Sequence, residues 1–221
     1  MNRSNKEKLI SSIGLAMAGV TALAPLHTMA INTQASVKVK NAITFAETAP
    51  LSFGTVRANY NAGIGSAANA LASAARLALP ADDTATMTAT AGLNSMAINS
   101  LVRGSSAKYT ITGAAPFTQI TFTITDITSA ANTNIALTTP NPSAPNFEIV
   151  QDSWTARDLV LAAPISIANA TGKGLVTTDG AGAASFSLGA SIRTDQTAKT
   201  QNYDQNNEVD YTGQFSITVS Y

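Results

Sequence analysis

From Ile31 onward the chain alternates. Ile31, Thr33, Ala35, Val37, Val39, Ile43 and Phe45 share one face of an extended backbone, while Asn32, Gln34, Ser36, Lys38, Lys40 and Thr44 share the other. A period of two is the mark of a half-buried strand. Asn41 is the one polar residue on the apolar side. Fifteen residues exceed the roughly 3 to 10 of an ordinary strand, so the pattern predicts two pieces joined near Asn41. The pieces are an extended arm over residues 31–41 and a strand at "AITF" that opens a domain over residues 42–221.

The same pattern closes the chain in "YTGQFSITVSY". Tyr211, Gly213, Phe215, Ile217, Val219 and Tyr221 fall on one face and Thr212, Gln214, Ser216, Thr218 and Ser220 on the other. Between the ends, "TATMTATA" alternates Ala85, Met87, Ala89 and Ala91 with threonines. "AKYTI" carries Tyr109 and Ile111, "QITFTITDI" carries Ile120, Phe122, Ile124 and a slipped Ile127, and "ASFSLGASI" carries Phe186, Leu188, Ala190 and Ile192. "DLVLAAPISI" is a more continuous apolar run broken by Pro164. Pro50 marks a strand edge or turn, and Gly54 after Phe53 a bulge or bend. Only "SAANALASAARLAL" has strong helix propensity, and it predicts one short Ala-rich helix running into a strand "ARLAL" before Pro80. Many short Thr-rich strands separated by Pro, Gly and Asn predict an all-β antiparallel sandwich. The expected core and contact residues are Val37, Val39, Phe53, Ile120, Phe122, Phe186, Leu188, Phe215, Ile217 and Val219.

The first thirty residues change the picture of where the protein works. Arg3, Lys6 and Lys8 precede "LISSIGLAMAGVTALAPL", and Thr28 and Ala30 supply small residues before a cut, so residues 1–30 read as a secretory signal peptide. Cleavage after Ala35 is the second choice, and an uncleaved anchor is the bland alternative. Removing three bases and one acid from thirteen of each leaves ten against twelve, a balance that argues against nucleic acid and anionic membranes as partners. The chain has no cysteine, so an exported form must rest on packing and strand pairing rather than disulfides.

Composition also narrows the chemistry. The single histidine, His27, lies in the leader, so the mature chain can build neither a Ser-His-Asp nor a Cys-His site and lacks the usual zinc, copper and iron ligands. The expectation is a protein that is not an enzyme and carries no cofactor. Asp204, Asn206, Glu208 and Asp210 alternate in "DQNNEVD" and are the one candidate calcium cluster, although an EF-hand loop wants glycine at Val209 and a bidentate glutamate at Phe215. "GIGSAA" at residues 63–68 lacks a surrounding βαβ unit and reads as a surface loop rather than a dinucleotide site. "TGKG" around Lys173 has Ile167 where a P-loop needs glycine and reads as a turn. Asp82 and Asp83, adjacent on a strand, would face opposite ways and so cannot be a glycosidase pair. Trp154, the only tryptophan, reads as a core or half-core anchor, with an exposed contact as the alternative.

"APLSFGTV" at residues 49–56, "AKYTITG" at 107–113, "GAGAASFSLGASI" at 180–192 and the closing "YTGQFSITVSY" together resemble the bacterial domain of unknown function 4402, a group of exported, cysteine-poor, all-β proteins. The resemblance spans residues 37–221, and the chain departs from it in a long Ala-rich insertion after "GTV" and an extended "TAKTQNYDQNNEVD" loop. That family is similar in layout to fimbrial subunits of the chaperone–usher type, which implies an immunoglobulin-like sandwich without an established activity. It also implies partners: identical or related subunits joined by strand addition, and a periplasmic chaperone. Ile31, Thr33, Ala35, Val37 and Val39 would then donate the strand, and Phe215, Ile217, Val219 and Tyr221 would wall the groove that receives it. Three other readings stand beside it. Residues 31–45 form an ordinary first strand of a self-contained sandwich; the protein is a monomeric binding module for polysaccharide or protein; or it is a small outer-membrane β-barrel, which its low aromatic content of 6% disfavours.

Overall fold

Strands form here wherever an alternating segment finds a second layer to cover its apolar face. The computed structural model describes residues 43–59, 74–92, 96–127, 134–194, 201–203 and 209–221. The chain divides into two units, residues 1–39 and 40–221, and the first lies wholly outside the described residues. So do the leader, the arm, "GIGSAA" and the helix half of the Ala-rich stretch. The strands are β1 (Thr44–Ala49), β2 (Ser52–Asn59), β3 (Arg76–Leu79), β4 (Thr88–Thr90), β5 (Ala97–Ser105), β6 (Ala107–Thr112) and β7 (Gln119–Ile124). They continue with β8 (Ile135–Leu137), β9 (Phe147–Ile149), β10 (Thr155–Asp158), β11 (Pro164–Ile165), β12 (Lys173–Thr177), β13 (Ala184–Thr194) and β14 (Ile217–Ser220). Every pairing between them is antiparallel, so the fold is all-β as the alternation predicted.

The eleven-residue β13 organises the larger sheet. Its first half pairs with β6 on one edge and β10 on the other, with Phe186 opposite Tyr109 and Asp158. Its second half pairs with β3 and β9, with Ile192 opposite Leu77 and Ile149. Gly189 marks the changeover, because a Cβ there would stand 2.3 Å from the Leu79 carbonyl oxygen. The chain leaving β3 therefore crosses directly over β13, and only glycine lets it pass. Once across, Ser187 Oγ donates to the Ala81 carbonyl at 2.7 Å, and Asp82 and Asp83 diverge to Arg157 and Lys108, both at 2.8 Å. Lys108, Ser187 and Arg157 stand in one cross-strand row, so the two acids and the Ser187 bond together clamp the crossing segment onto three neighbouring strands. The Asp82–Asp83 pair thus sits in a turn rather than on a strand, with each carboxylate engaged by its own cation.

A second sheet, ordered β12-β7-β14, closes the core from the other side. Ile120, Phe122 and Ile124 of β7 are completely buried, and the Phe122 ring stacks on Phe186 with centroids 4.4 Å apart. Tyr109, Phe45 and Phe186 extend that stack across the first sheet. Trp154 is buried, as an anchor should be, with its ring 4.9 Å from Phe215. Pairing of β2 with β5 continues the β1–β6 ribbon beyond a break at Pro50 and Ser106, and Gly54 within it takes φ +73° beside a register shift at Thr55/Val56.

Two segments depart from the alternation. "TATMTATA" is a strand only over β4, whose three residues are all exposed. "DLVLAAPISI" turns immediately after Asp158, because Asp158 Oδ1 accepts the amides of both Val160 and Leu161 at 2.8 Å and caps the strand. The turn expected around Lys173 is present, with Gly172 at φ +64° and the Ala168 amide donating to the Lys173 carbonyl.

Candidate functional site

In the second sheet β14 pairs only with β7, and in the ribbon β2 pairs only with β5, so each presents one unpaired edge among the described residues. Between β2 and the run 209–215 that leads into β14 lies a cleft of about 890 Å³. One wall is built by Leu51, Phe53 and Val56, which are half-buried because β2 leaves the main sheet at Pro50 and has no second neighbour to cover them. The opposite wall carries Tyr211 and Phe215, and the floor is Phe147 and Ile149 of β9 with Ile192 of β13.

Aromatic packing fixes that floor. Phe147 stacks on Tyr203 at 4.5 Å and meets the edge of Tyr211 at 4.9 Å, while Tyr203 Oη donates to the Asn146 carbonyl at 2.8 Å. The run 211–216 is held by two anchors rather than by a continuous ladder. Thr212 bridges Thr138 through paired backbone bonds, and the Ser216 carbonyl accepts from the Thr125 amide at 2.9 Å. This is why the closing segment is a regular strand only over Ile217–Ser220. Behind the wall, the Trp154 indole Nε1 is buried with no hydrogen-bond partner among the described residues. Arg193, also buried, is held by Glu148 through Nε at 2.7 Å and Nη2 at 2.6 Å.

The expected groove residues divide. Phe215 lines the cleft, Ile217 and Val219 lie half-buried against the core on the inward face of β14, and Tyr221 is exposed, its hydroxyl accepting the Ala115 amide at 3.3 Å. Ile31, Thr33, Ala35, Val37 and Val39 lie outside the described residues. So do Asp204, Asn206 and Glu208 of the calcium candidate; Asp210 is exposed on the cleft, and among the described residues no group of three His, Cys, Asp or Glu side chains converges on a metal position. The β2 wall and the Phe147/Tyr203/Tyr211 cluster were not anticipated. The one signal for the cluster was Tyr203, a lone aromatic in the polar "QNYDQNN".

The cleft can bury extended apolar chain and offers backbone groups along unpaired strand edges. Comparison with protein-family models, with curated proteins and with solved structures found no match, so the resemblance set out above rests on its quoted motifs alone.

Proposed function

We propose that this is an exported structural or adhesive surface subunit that assembles when residues 31–39 of one copy add as a β-strand along the cleft of another. The observation that carries the reading is the cleft, lined by both apolar and polar residues, between β2, which has one strand partner among the described residues, and the run 209–215 that leads into β14. An unpaired edge is a template for strand addition, with backbone bonds supplying affinity and alternate side chains filling pockets. Dimensions agree. Ile31 to Val39 spans eight residue steps, about 26 Å at 3.3 Å each, against about 23 Å for the seven steps of the β2 wall from Leu51 to Ala58. A signal-peptide-like leader fits assembly outside the cytoplasm, at the cell surface, in the periplasm or beyond. An immunoglobulin-like sandwich completed by a donated strand, first in a chaperone's keeping, is the form this reading takes.

The test is a thermal melt of a chain truncated to begin at Asn41, with and without a peptide of residues 31–40. Peptide at about 100 times its Kd adds about 2.7 kcal/mol, a rise of roughly 5–10 °C for a domain of this size. A truncated domain that is stable and ignores the peptide sinks the reading. The aromatic floor of Phe147, Tyr203 and Tyr211 favours one other reading, a monomeric module that binds a neutral polysaccharide. Saturable quenching of tyrosine fluorescence by neutral oligosaccharides, with no response to peptide, would establish that alternative.

A further inference from the structure

Exposed large apolar side chains are not scattered over this molecule. Nine stand out among the described residues, and five of them, Phe117, Leu159, Val160, Leu161 and Tyr221, lie at one end. The register defines that end. Thr44 pairs with Thr112, Ile111 with Ala184, and the Leu159 amide donates to the Ser185 carbonyl, so the start of β1 and the 159–161 turn lie at one level, three strand spacings or about 14 Å apart. The Phe117 loop joins the same end because the Phe117 amide donates a hydrogen bond to the Asp179 carbonyl, and Tyr221 joins it because its hydroxyl accepts the Ala115 amide.

These side chains are held outward. Asp158 Oδ1 ties the amides of Val160 and Leu161, and Ala162 follows at φ +52°. Phe117, 78% exposed, also has φ +52°, and these two are the only non-glycine residues with left-handed backbone among those described. Strained backbone that presents apolar side chains to water is maintained against two costs at once, which is the pattern of a contact surface. The loops 112–118, 159–164 and 178–184 contain no lysine or arginine, and their one acid, the exposed Asp179, accepts the amides of Ala181 and Ala183 within its own turn. These three loops therefore supply no positive charge with which to hold an anionic bilayer.

We infer that this apolar end docks against the rim of the cleft on a second copy of the chain. The inference rests on the strand-donation reading, and what carries it is the chain that leaves this end. Ile43 is separated from Val39, the end of the donated strand, by only residues 40–42, and these four residue steps reach about 13 Å. Whatever receives the arm therefore lies within that distance of Ile43, at the same end of the molecule as Phe117 and the 159–161 turn. Two of the remaining exposed apolar residues, Leu101 and Val209, line the cleft itself. Donor end and acceptor rim are different surfaces, so the contact is heterologous and propagates head to tail rather than closing a dimer.

The experiment compares the full chain with a Val160→Asp/Leu161→Asp variant, and separately with Phe117→Ser, by sedimentation over a range of concentrations. A labelled 31–40 peptide measures cleft binding in parallel. All three side chains are exposed, so melting should be unchanged. The expected result is unaltered peptide affinity with oligomerisation displaced to at least about tenfold higher protein concentration in both variants, the scale of losing a small apolar contact. Unchanged oligomerisation in both variants overturns the inference, as does a variant that oligomerises normally while losing binding to phosphatidylcholine vesicles, which would make the end a lipid contact. If the peptide does not bind and the wild-type chain stays monomeric, strand donation itself fails and the end contact fails with it.

Discussion

Gly174 and Phe122 make a pair whose coupling has a definite sign. They stand opposite each other in the β12–β7 ladder, and a Cβ built on Gly174 would lie 2.2 Å from Cζ of the Phe122 ring. An aromatic tip can often swing aside, but this one is completely buried and stacked 4.4 Å from Phe186. Gly174→Ala should therefore cost about 1–3 kcal/mol through overpacking. Phe122→Ala should cost about 3–5 kcal/mol as a core truncation. In the Phe122→Ala background the added methyl enters the space the ring has left, and alanine now gains over glycine by about 0.5–1 kcal/mol in backbone entropy. The two changes should thus be less harmful together than separately, with a coupling of about 1.5–4 kcal/mol. Urea unfolding of the four proteins measures it, with midpoints compared at constant m-value. If Gly174→Ala costs the same in both backgrounds, the ring is not what holds glycine at that position, and the account of inter-sheet packing built on Phe122 is wrong.

Two further predictions concern pH. The Thr84 hydroxyl and amide, aided by Arg157, hold the Asp82 carboxyl below the ordinary value of 3.8. Burial pushes Asp83 upward, but Lys108 and the Ser106 amide outweigh it, so Asp83 also lies below that value. A depressed carboxyl contributes stability that is complete above the unfolded-state value and is lost as pH falls through the folded-state one. The Asp82→Asn/Asp83→Asn variant should accordingly lose less stability than wild type between about pH 4 and pH 2, and equal acid slopes would refute the clamp on the crossing segment. At the alkaline end, burial and then the Glu47 charge raise the Tyr109 phenol well above 10.0. A raised phenol contributes stability that is complete below the unfolded value and is lost as pH climbs toward the folded one. Tyr109→Phe should flatten the fall in unfolding midpoint above about pH 10, and an unchanged profile would refute it.

How much of this was legible in the chain depends on whether one neighbour or two decided each residue's fate. In β7, alternation alone identified Ile120, Phe122 and Ile124, since one face meets the core and the other is outside. In β13 it identified Phe186, Leu188, Ala190 and Ile192 but not the burial of Ser187, which follows from a segment a hundred residues earlier crossing over Gly189. The run "DLVLAAP" misled because its apolar residues are exposed on a turn, and the deciding contact, Asp158 to its own following amides, is local chemistry that hydropathy does not register. For the cleft, Phe215 was visible as part of a terminal alternating segment. The β2 wall was not, since Phe53 and Val56 look like any strand residues until the break at Pro50 separates them from the main sheet.

The position of β13 in the chain has a temporal consequence. Its partners β3, β6, β9 and β10 all precede it, and synthesis must reach residue 194 before the larger sheet can form across its middle. Pairings of such long sequence separation close slowly. Pairings such as β1–β6 and β2–β5 are complete earlier, but the larger sheet stays open at its centre until β13, which ends only 27 residues before Tyr221, has been made.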